Sequence, residues 1–261
     1  MLQIDKKITS NDLSILIFKD RIAFCTLEQT LYFDLEKKNI NSENLGTWIN
    51  YHNIKKKNNN CVLFESNGVI VPKALFDERD KNVYLSLTDD DLKNKKIETK
   101  AIESSNQVFI YPQSRNWNLL FQNLVNDIET THFAAQLISV LSKLSNDNLK
   151  KSVFIHLRKD FFDLFIYQGR QLLLFNSFPH QDEEEFLYYL FFVMEQFYLK
   201  ANKFEAIFLG KFRVYQKYYN VFREFHSQIN FTYPENLDID SNHPAPFFNY
   251  FYYYENNIRK V

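Results

Sequence analysis

Apolar residues fall in short runs separated by polar breaks, and the spacing of those runs predicts an element order. Leu13 to Phe18 (LSILIF) is almost wholly apolar and stops at the polar triplet KDR. Arg21 to Leu27 (RIAFCTL) and Leu31 to Leu35 (LYFDL) follow closely, which predicts an antiparallel meander of three strands. Leu45, Trp48, Ile49 and His52 recur at helical spacing behind Ser42-Glu43-Asn44, so a helix is expected there, ending before the solvated run KKKNNN at 55–60. Strands are predicted at Cys61 to Glu65, Val69 to Val71, Gln107 to Tyr111 and Ile128 to Thr131. Helices are predicted within Ala74 to Leu87, Asn116 to Val125 and Ala134 to Leu144. The charged stretch Asp89 to Lys100 shows no periodicity and reads as a loop.

The order then restarts. Ser152 to Leu157, Phe161 to Tyr167 and Gln171 to Phe175 form a second predicted meander, with Gln168-Gly169-Arg170 as a hairpin turn. Gln181 to Leu199 is the strongest helical segment. Its acidic first turn, Asp182 to Glu185, suits a helix N-terminus, and Phe186, Leu190, Val193, Phe197 and Tyr198 are expected to face the core. A strand (Phe204 to Leu209), a helix (Val214 to Phe225) and a strand (Gln228 to Phe231) complete the series. Three strands, a helix and a strand thus open both halves, although no residue-level repeat is present. The expected fold is α/β with two lobes, 1–148 and 149–261, joined through the polar connector NDNLKK at 146–151. Each lobe is a mixed sheet flanked by helices, the architecture of actin-like and ribonuclease-H-like folds.

Composition narrows the chemistry. Hydrophobic residues make up 45% of the 261 positions, enough for a sizeable core, and the net charge of -1 creates no field that would recruit nucleic acid. The expectation is therefore no nucleic-acid partner. No apolar window approaches the ~20 residues of a membrane span, and the polar start MLQIDKKITSND lacks a signal-peptide core, so a cytoplasmic setting is expected. The two cysteines, Cys25 and Cys61, sit inside apolar runs and read as buried thiols in a reducing compartment. The six histidines show no metal-ligand spacing, and His156, alternating with Ile155 and Leu157, reads as a hydrogen-bonded histidine on one strand face. Only four glycines occur, Gly46, Gly68, Gly169 and Gly210, too few and too scattered for GxGxxG or GxxxxGK[ST].

Three stretches carry a family resemblance: DLSILIFKDRIAFCTL near the start, IVPKALFDERDKNVYLSL at 70–87, and FFDLFIYQGRQLLLFNSFPHQDEEEFLYYLFFVMEQFYL at 161–199. The chain resembles a bacterial family of unknown function whose members have an actin-like ATPase fold. It is also distantly similar to the pilus-assembly and cell-division branch of that superfamily. The resemblance implies two hairpin turns that hold phosphates and magnesium, each with an Asp on its first strand and a Gly-rich turn behind it. Here those turns are Phe18 to Arg21 and His156 to Phe161; neither contains glycine, and His156 stands about where the second Asp belongs. The adenosine region, which in such folds ends a strand with two glycines, offers only Gly210 in AIFLGK.

Lys19, Arg158, Lys159 and Asp160 are the candidate residues of a rebuilt nucleotide site, though the plainer reading makes them solvated turn residues. No cofactor is expected; ATP with magnesium remains conceivable by fold, without motif support. A two-metal nuclease is disfavoured because nothing acidic occupies the middle of Leu13 to Phe18, whatever Asp20, Asp160 and Asp163 do. The leading expectation is a pseudo-ATPase that is not an enzyme, a scaffold or adaptor with an unknown protein partner and a possible homodimer. Two surfaces are candidates for contact. One is the long helix from Gln181, and the other is the tail from Pro244, where seven of the eight residues Phe247 to Tyr254 are aromatic. A tail packed on the protein's own core is the plainer alternative.

Overall fold

The computed structural model describes residues 13–25, 30–35, 40–54, 59–64, 66–86, 88, 92, 93, 95–113, 117–121, 124, 129–145, 150–201 and 203–232. They divide into two compact units, one of 13–102 with 106–137 and the other of 138–232 with 103–105.

In the first unit, β1 (Leu13–Ile17), β2 (Arg21–Cys25) and β3 (Thr30–Asp34) make the predicted antiparallel meander. β1 is the centre of a five-stranded sheet, and all five of its residues are buried, which is why it reads as an unbroken apolar run. α1 (Ser42–Tyr51) starts where Asn41 caps it, the side chain accepting from the Asn44 amide at 2.8 Å, and it buries Leu45 and Ile49. β4 (Asn59–Leu63) then returns parallel to β1.

A three-stranded sheet interrupts the lobe at this point. β5 (Val69–Pro72), α2 (Lys81–Leu85), β6 (Lys96–Ile102) and β7 (Gln107–Gln113) build it, with β7 between the other two strands. The helix expected within Ala74 to Leu87 is α2, which is five residues long and follows two 3₁₀ turns, Lys73–Leu75 and Glu78–Asp80. Asp77 keeps it from starting sooner by bonding the Arg79 amide and side chain, while the Tyr84 hydroxyl accepts from the Asp77 amide and donates to the Leu75 carbonyl, folding the segment back. One expectation is corrected here: the loop expected over Asp89 to Lys100 contains most of β6. Lys96, Glu98 and Lys100 mask its alternation, yet Ile97 packs on the cluster of Val71, Leu85, Val108 and Ile110. Pro112 lies within β7 beyond Ile110, the last residue that β5 pairs, so only β6 continues beside it. After α3 (Trp117–Phe121), β8 (Glu129–His132) joins the main sheet parallel to β4 and leads into α4 (Phe133–Leu144), the helix within which the two units divide.

The second unit repeats the plan. β9 (Lys151–Leu157), β10 (Phe161–Gln168) and β11 (Gln171–Pro179) form the meander, α5 (Glu183–Gln196) follows, and β12 (Glu205–Phe208), α6 (Gln216–Phe225) and β13 (Ile229–Phe231) complete it. The strand orders match: β3-β2-β1-β4-β8 in one unit and β11-β10-β9-β12-β13 in the other, three antiparallel strands and then two parallel ones. Gly169 takes φ 56 in the β10–β11 turn, where a side chain would be strained. One further correction concerns α5. Tyr198, expected in the core, is 89% exposed, because the helix ends at its cap Phe197 and the left-handed φ of 52 at Tyr198 turns that side chain outward.

The start of α5 is a variant of the capping box in which the return bond reaches the amide one residue before the cap. The Asp182 carboxylate accepts from the Glu185 amide at 2.9 Å, and the Glu185 carboxylate accepts from the Gln181 amide at 2.9 Å. Replacing Asp182 by Ala should cost about 1 kcal/mol, read as a lower urea midpoint for the transition reported by the α5 aromatics; an unchanged midpoint would show the cap to be idle.

Candidate functional site

The two hairpin turns at the ends of β1 and β9 share a backbone pattern. The Phe18 amide donates to the Arg21 carbonyl at 2.9 Å, and the Leu35 amide to the Asp20 carbonyl at 2.8 Å. In the second unit the Arg158 amide donates to the Phe161 carbonyl at 2.8 Å, and the His180 amide to the Asp160 carbonyl at 3.1 Å. Both turns carry Lys-Asp at the tip and an Arg–Phe pair at the mouth, in opposite order. Arg21 lies over the Phe18 ring at 5.9 Å and over Tyr32 at 5.5 Å, and Arg158 lies over Phe161 at 5.3 Å. None of the four tip residues has positive φ, so neither tip requires glycine.

The side chains behind the second turn form a buried polar cluster. Asp163 sits in mid-β10, directly opposite His156 of β9 and Ser177 of β11. Its carboxylate receives four hydrogen bonds. Oδ2 accepts from His156 Nδ1 and Arg158 Nε, each at 2.8 Å, and Oδ1 accepts from Arg158 Nη2 at 2.7 Å and Ser177 Oγ at 2.6 Å. Asp163 and His156 are fully buried, and the Arg158 side chain is 12% exposed. Burial opposes the charge of Asp163, but the Arg158 guanidinium and the His156 hydrogen bond outweigh it and hold the carboxyl at about 2. Burial pushes His156 below the ordinary imidazole range, against the pull of Asp163. The ring is therefore neutral, and because an ionised carboxylate only accepts, Nδ1 carries the proton. A serine, a histidine and an aspartate meet here without forming a nucleophilic triad: Ser177 donates to the carboxylate, so no imidazole is placed to take its proton.

His180 closes the turn from the far side. Its Nε2 donates to the Arg158 carbonyl at 3.1 Å, and its Nδ1 is 3.0 Å from the Tyr218 hydroxyl. In the region expected for an adenosine, Gly210 has φ +88 after β12, and the Phe212 ring fills the space beside it, 2.5 Å from where a Cβ would stand. The Tyr219 hydroxyl accepts from the Phe212 amide at 3.1 Å and donates to the Gly210 carbonyl at 3.4 Å.

Of the residues proposed from sequence, Arg158, Lys159 and Asp160 share the β9–β10 turn, and Lys19 occupies the equivalent tip in the first unit. Arg158 is drawn back onto Asp163, whereas Lys19, Lys159 and Asp160 are exposed at the tips. The partnership of Asp163 with His156 and Arg158 escaped the sequence reading, yet a signal existed. Counting outward from a two-residue Lys159-Asp160 turn sets Arg158 opposite Phe161 and His156 opposite Asp163. Ser177 and His180 gave no comparable signal, since a bulge between Ile166 and Tyr167 shifts the β11 register. Cys25 is fully buried, and burial pushes its thiol up to about 12, as an inert core thiol requires. Among the described residues no three His, Cys, Asp or Glu side chains gather as a metal site would need, and no helix is long and apolar enough to cross a membrane. The aromatic tail from Pro244 lies outside the described residues.

A family model described as Protein of unknown function (DUF3822) matches residues 3–229. The chain belongs to that family. Among solved structures it is similar to a Bacteroides thetaiotaomicron protein with an actin-like ATPase fold and unknown function, at TM-score 0.67 and 20% identity, covering 87% of this chain and 93% of that one. It is also similar to a chain of a PilM-PilN type IV pilus biogenesis complex, at TM-score 0.53 and 9% identity over 95% and 98% of the two chains. No curated protein matches it. At these identities the likeness establishes the fold: α/β, of the actin-like ATPase type.

The buried cluster predicts an acid-labile second unit. The folded pKa of Asp163 lies below its unfolded value of ~3.9, so its contribution, about 2 kcal/mol, is complete above that pH and is lost as pH falls toward 2. His156 is also depressed, so below ~6.5 the unfolded chain takes up a proton that the folded chain refuses, and stability starts to fall there. Urea midpoints should decline from pH 7 to 5 and more steeply below 4. The Asp163→Ala variant, which strands the buried Arg158 charge, should lose about 3–5 kcal/mol at pH 7, and a loss under 1 kcal/mol would contradict this account.

Proposed function

We propose that this protein is a non-catalytic member of the actin-like fold, a cytoplasmic scaffold or adaptor that works through protein contacts. The observation that carries the reading is the closure of Asp163 and Arg158 on each other. A phosphate site at the second turn needs a free cation or converging amides, and magnesium needs a carboxylate with open lone pairs. Here the Arg158 fork is spent on Asp163, the four acceptor positions of Asp163 are filled, and the Arg158 amide is bonded across the turn. The Phe212 ring beside Gly210 supports the same reading, because it occupies the space that glycine elsewhere leaves for a ligand. The PilM-PilN neighbour, a protein–protein complex by its name, lends the fold a precedent for acting by association.

One observation favours a second reading, a divergent nucleotide-binding protein. Lys-Asp recurs at both tips, and Lys19, Lys159 and Asp160 remain available to an anion or its metal, with Arg158 released from Asp163 on binding. A thermal-shift titration with Mg-ATP, Mg-ADP and Mg-GTP separates the two. Saturation at 100 times the dissociation constant would add about 2.7 kcal/mol, whereas the scaffold reading expects no shift. A reproducible shift that Lys159→Ala abolishes would overturn it.

A further inference from the structure

α5 and α6 lie side by side in the second unit, and two contacts fix their relative level. Lys217 approaches Glu183 at 4.0 Å, and Phe225 meets Phe191 edge to face at 4.8 Å. Eight residues separate the two contacts on each helix, in the same chain direction, so the helices run parallel and in step over ~12 Å. Their shared outer surface is apolar along the seam. Phe225 and Val214 on the α6 side are exposed there, and Tyr188 and Phe192, one turn apart on α5, are 65% and 52% exposed. A contiguous apolar strip of this kind marks a surface that is covered in use. The flanks of the strip carry opposite charge. Asp182 to Gln196 holds five carboxylates and no cation, whereas Lys211 to Phe225 holds four cations and one carboxylate, Glu224. Little of this charge is spent within the unit: the Lys217 side chain is 85% exposed despite its approach to Glu183.

We propose that the occupant of this surface is a second copy of the chain, related to the first by a two-fold axis along the α5–α6 seam. The charges choose both the partner and the axis. Rotation about the seam lays α5 of one protomer along α6 of the other, parallel and at the same level. Glu184, exposed on the outer ridge of α5, then faces the partner's Lys217, and symmetry makes the pair twice. Tyr188 and Phe192 cover the partner's Val221 and Phe225, so the apolar strip is buried at the centre with the ion pairs beside it. A two-fold across the helices would instead set α5 on α5 and its carboxylates on their own copies, where like charges repel. Aromatic burial supplies the association, and the acidic and basic helices fix its register. The dimer does not depend on the scaffold reading and would stand if a nucleotide were found to bind.

The test is sedimentation equilibrium of the full-length chain at low salt, where exposed ion pairs are least screened. The wild-type chain should pass reversibly from monomer to dimer between ~1 and ~100 µM. Glu184→Lys and Lys217→Glu each place like charges across both symmetric contacts, and each should raise the dissociation constant at least tenfold. An equimolar mixture of these two variants restores opposite charges at both contacts, so it should dimerise as the wild type does, which also shows that both variants are folded. Tyr188→Ser with Phe192→Ser should weaken the dimer at least tenfold, while Val83→Ser, at an apolar residue 64% exposed in the other unit, should leave it unchanged. A wild-type chain that stays monomeric at ~100 µM, single reversals that leave association unchanged, a mixture that fails to dimerise, or growth beyond dimer mass would each overturn the proposal.

Discussion

An ionised carboxylate with no exposure to solvent is tolerated only where its lost hydration is replaced bond for bond, and Asp163 meets that condition. Four donor atoms, from β9, the turn that follows it and β11, converge on its two oxygens. Each of those donors is held in turn: His156 and Ser177 by direct cross-strand pairing, and Arg158 by its amide bond across the turn and its place over Phe161. A one-residue slip of any strand in this meander would remove a donor and leave a buried charge short of partners, so the cluster ties the register of β9, β10 and β11 to one arrangement. The turn that follows β9, and the position of His180 at the entry to α5, depend on that register.

The same backbone turn serves both units with different side-chain solutions. In the first, Arg21 spreads over Phe18 and Tyr32 and lies 3.5 Å from Asp20, near solvent. In the second, the Arg and Phe positions are exchanged, and the cation is carried inward to a carboxylate. The Lys-Asp tips need no left-handed residue, which removes the structural reason for glycine at these turns. Where an actin-like ATPase is expected to present a glycine-lined phosphate cradle, this chain presents tight, side-chain-braced hairpins.

Aromatic side chains supply much of the remaining cohesion. Phe162 touches Phe178, Phe186 and His180, and Phe208 touches Tyr219, Phe222 and Phe231, so single rings join a strand to a helix and to the neighbouring strand. The same abundance reaches the outer face of α5, where the apolar character exceeds what one sheet can bury.

Short apolar runs and their spacing were enough to predict both meanders, the long helix and the repeated order, because strand and helix periodicity is written in neighbouring residues. The inserted sheet was less legible. In β6 alternating charges hid the strand signal, and around Asp77 the competing side-chain bonds that end a helix come from Arg79 and Tyr84 rather than from propensity. For the site, sequence alone determined that glycine is missing from both turns and that Arg158, Lys159 and Asp160 share one of them. Only the tertiary structure decided that Arg158 points inward to Asp163 and that Phe212 fills the space beside Gly210. The physical reason is that a side chain's partner is set by which strands lie side by side and in what register, and that pairing depends on contacts from residues distant in sequence.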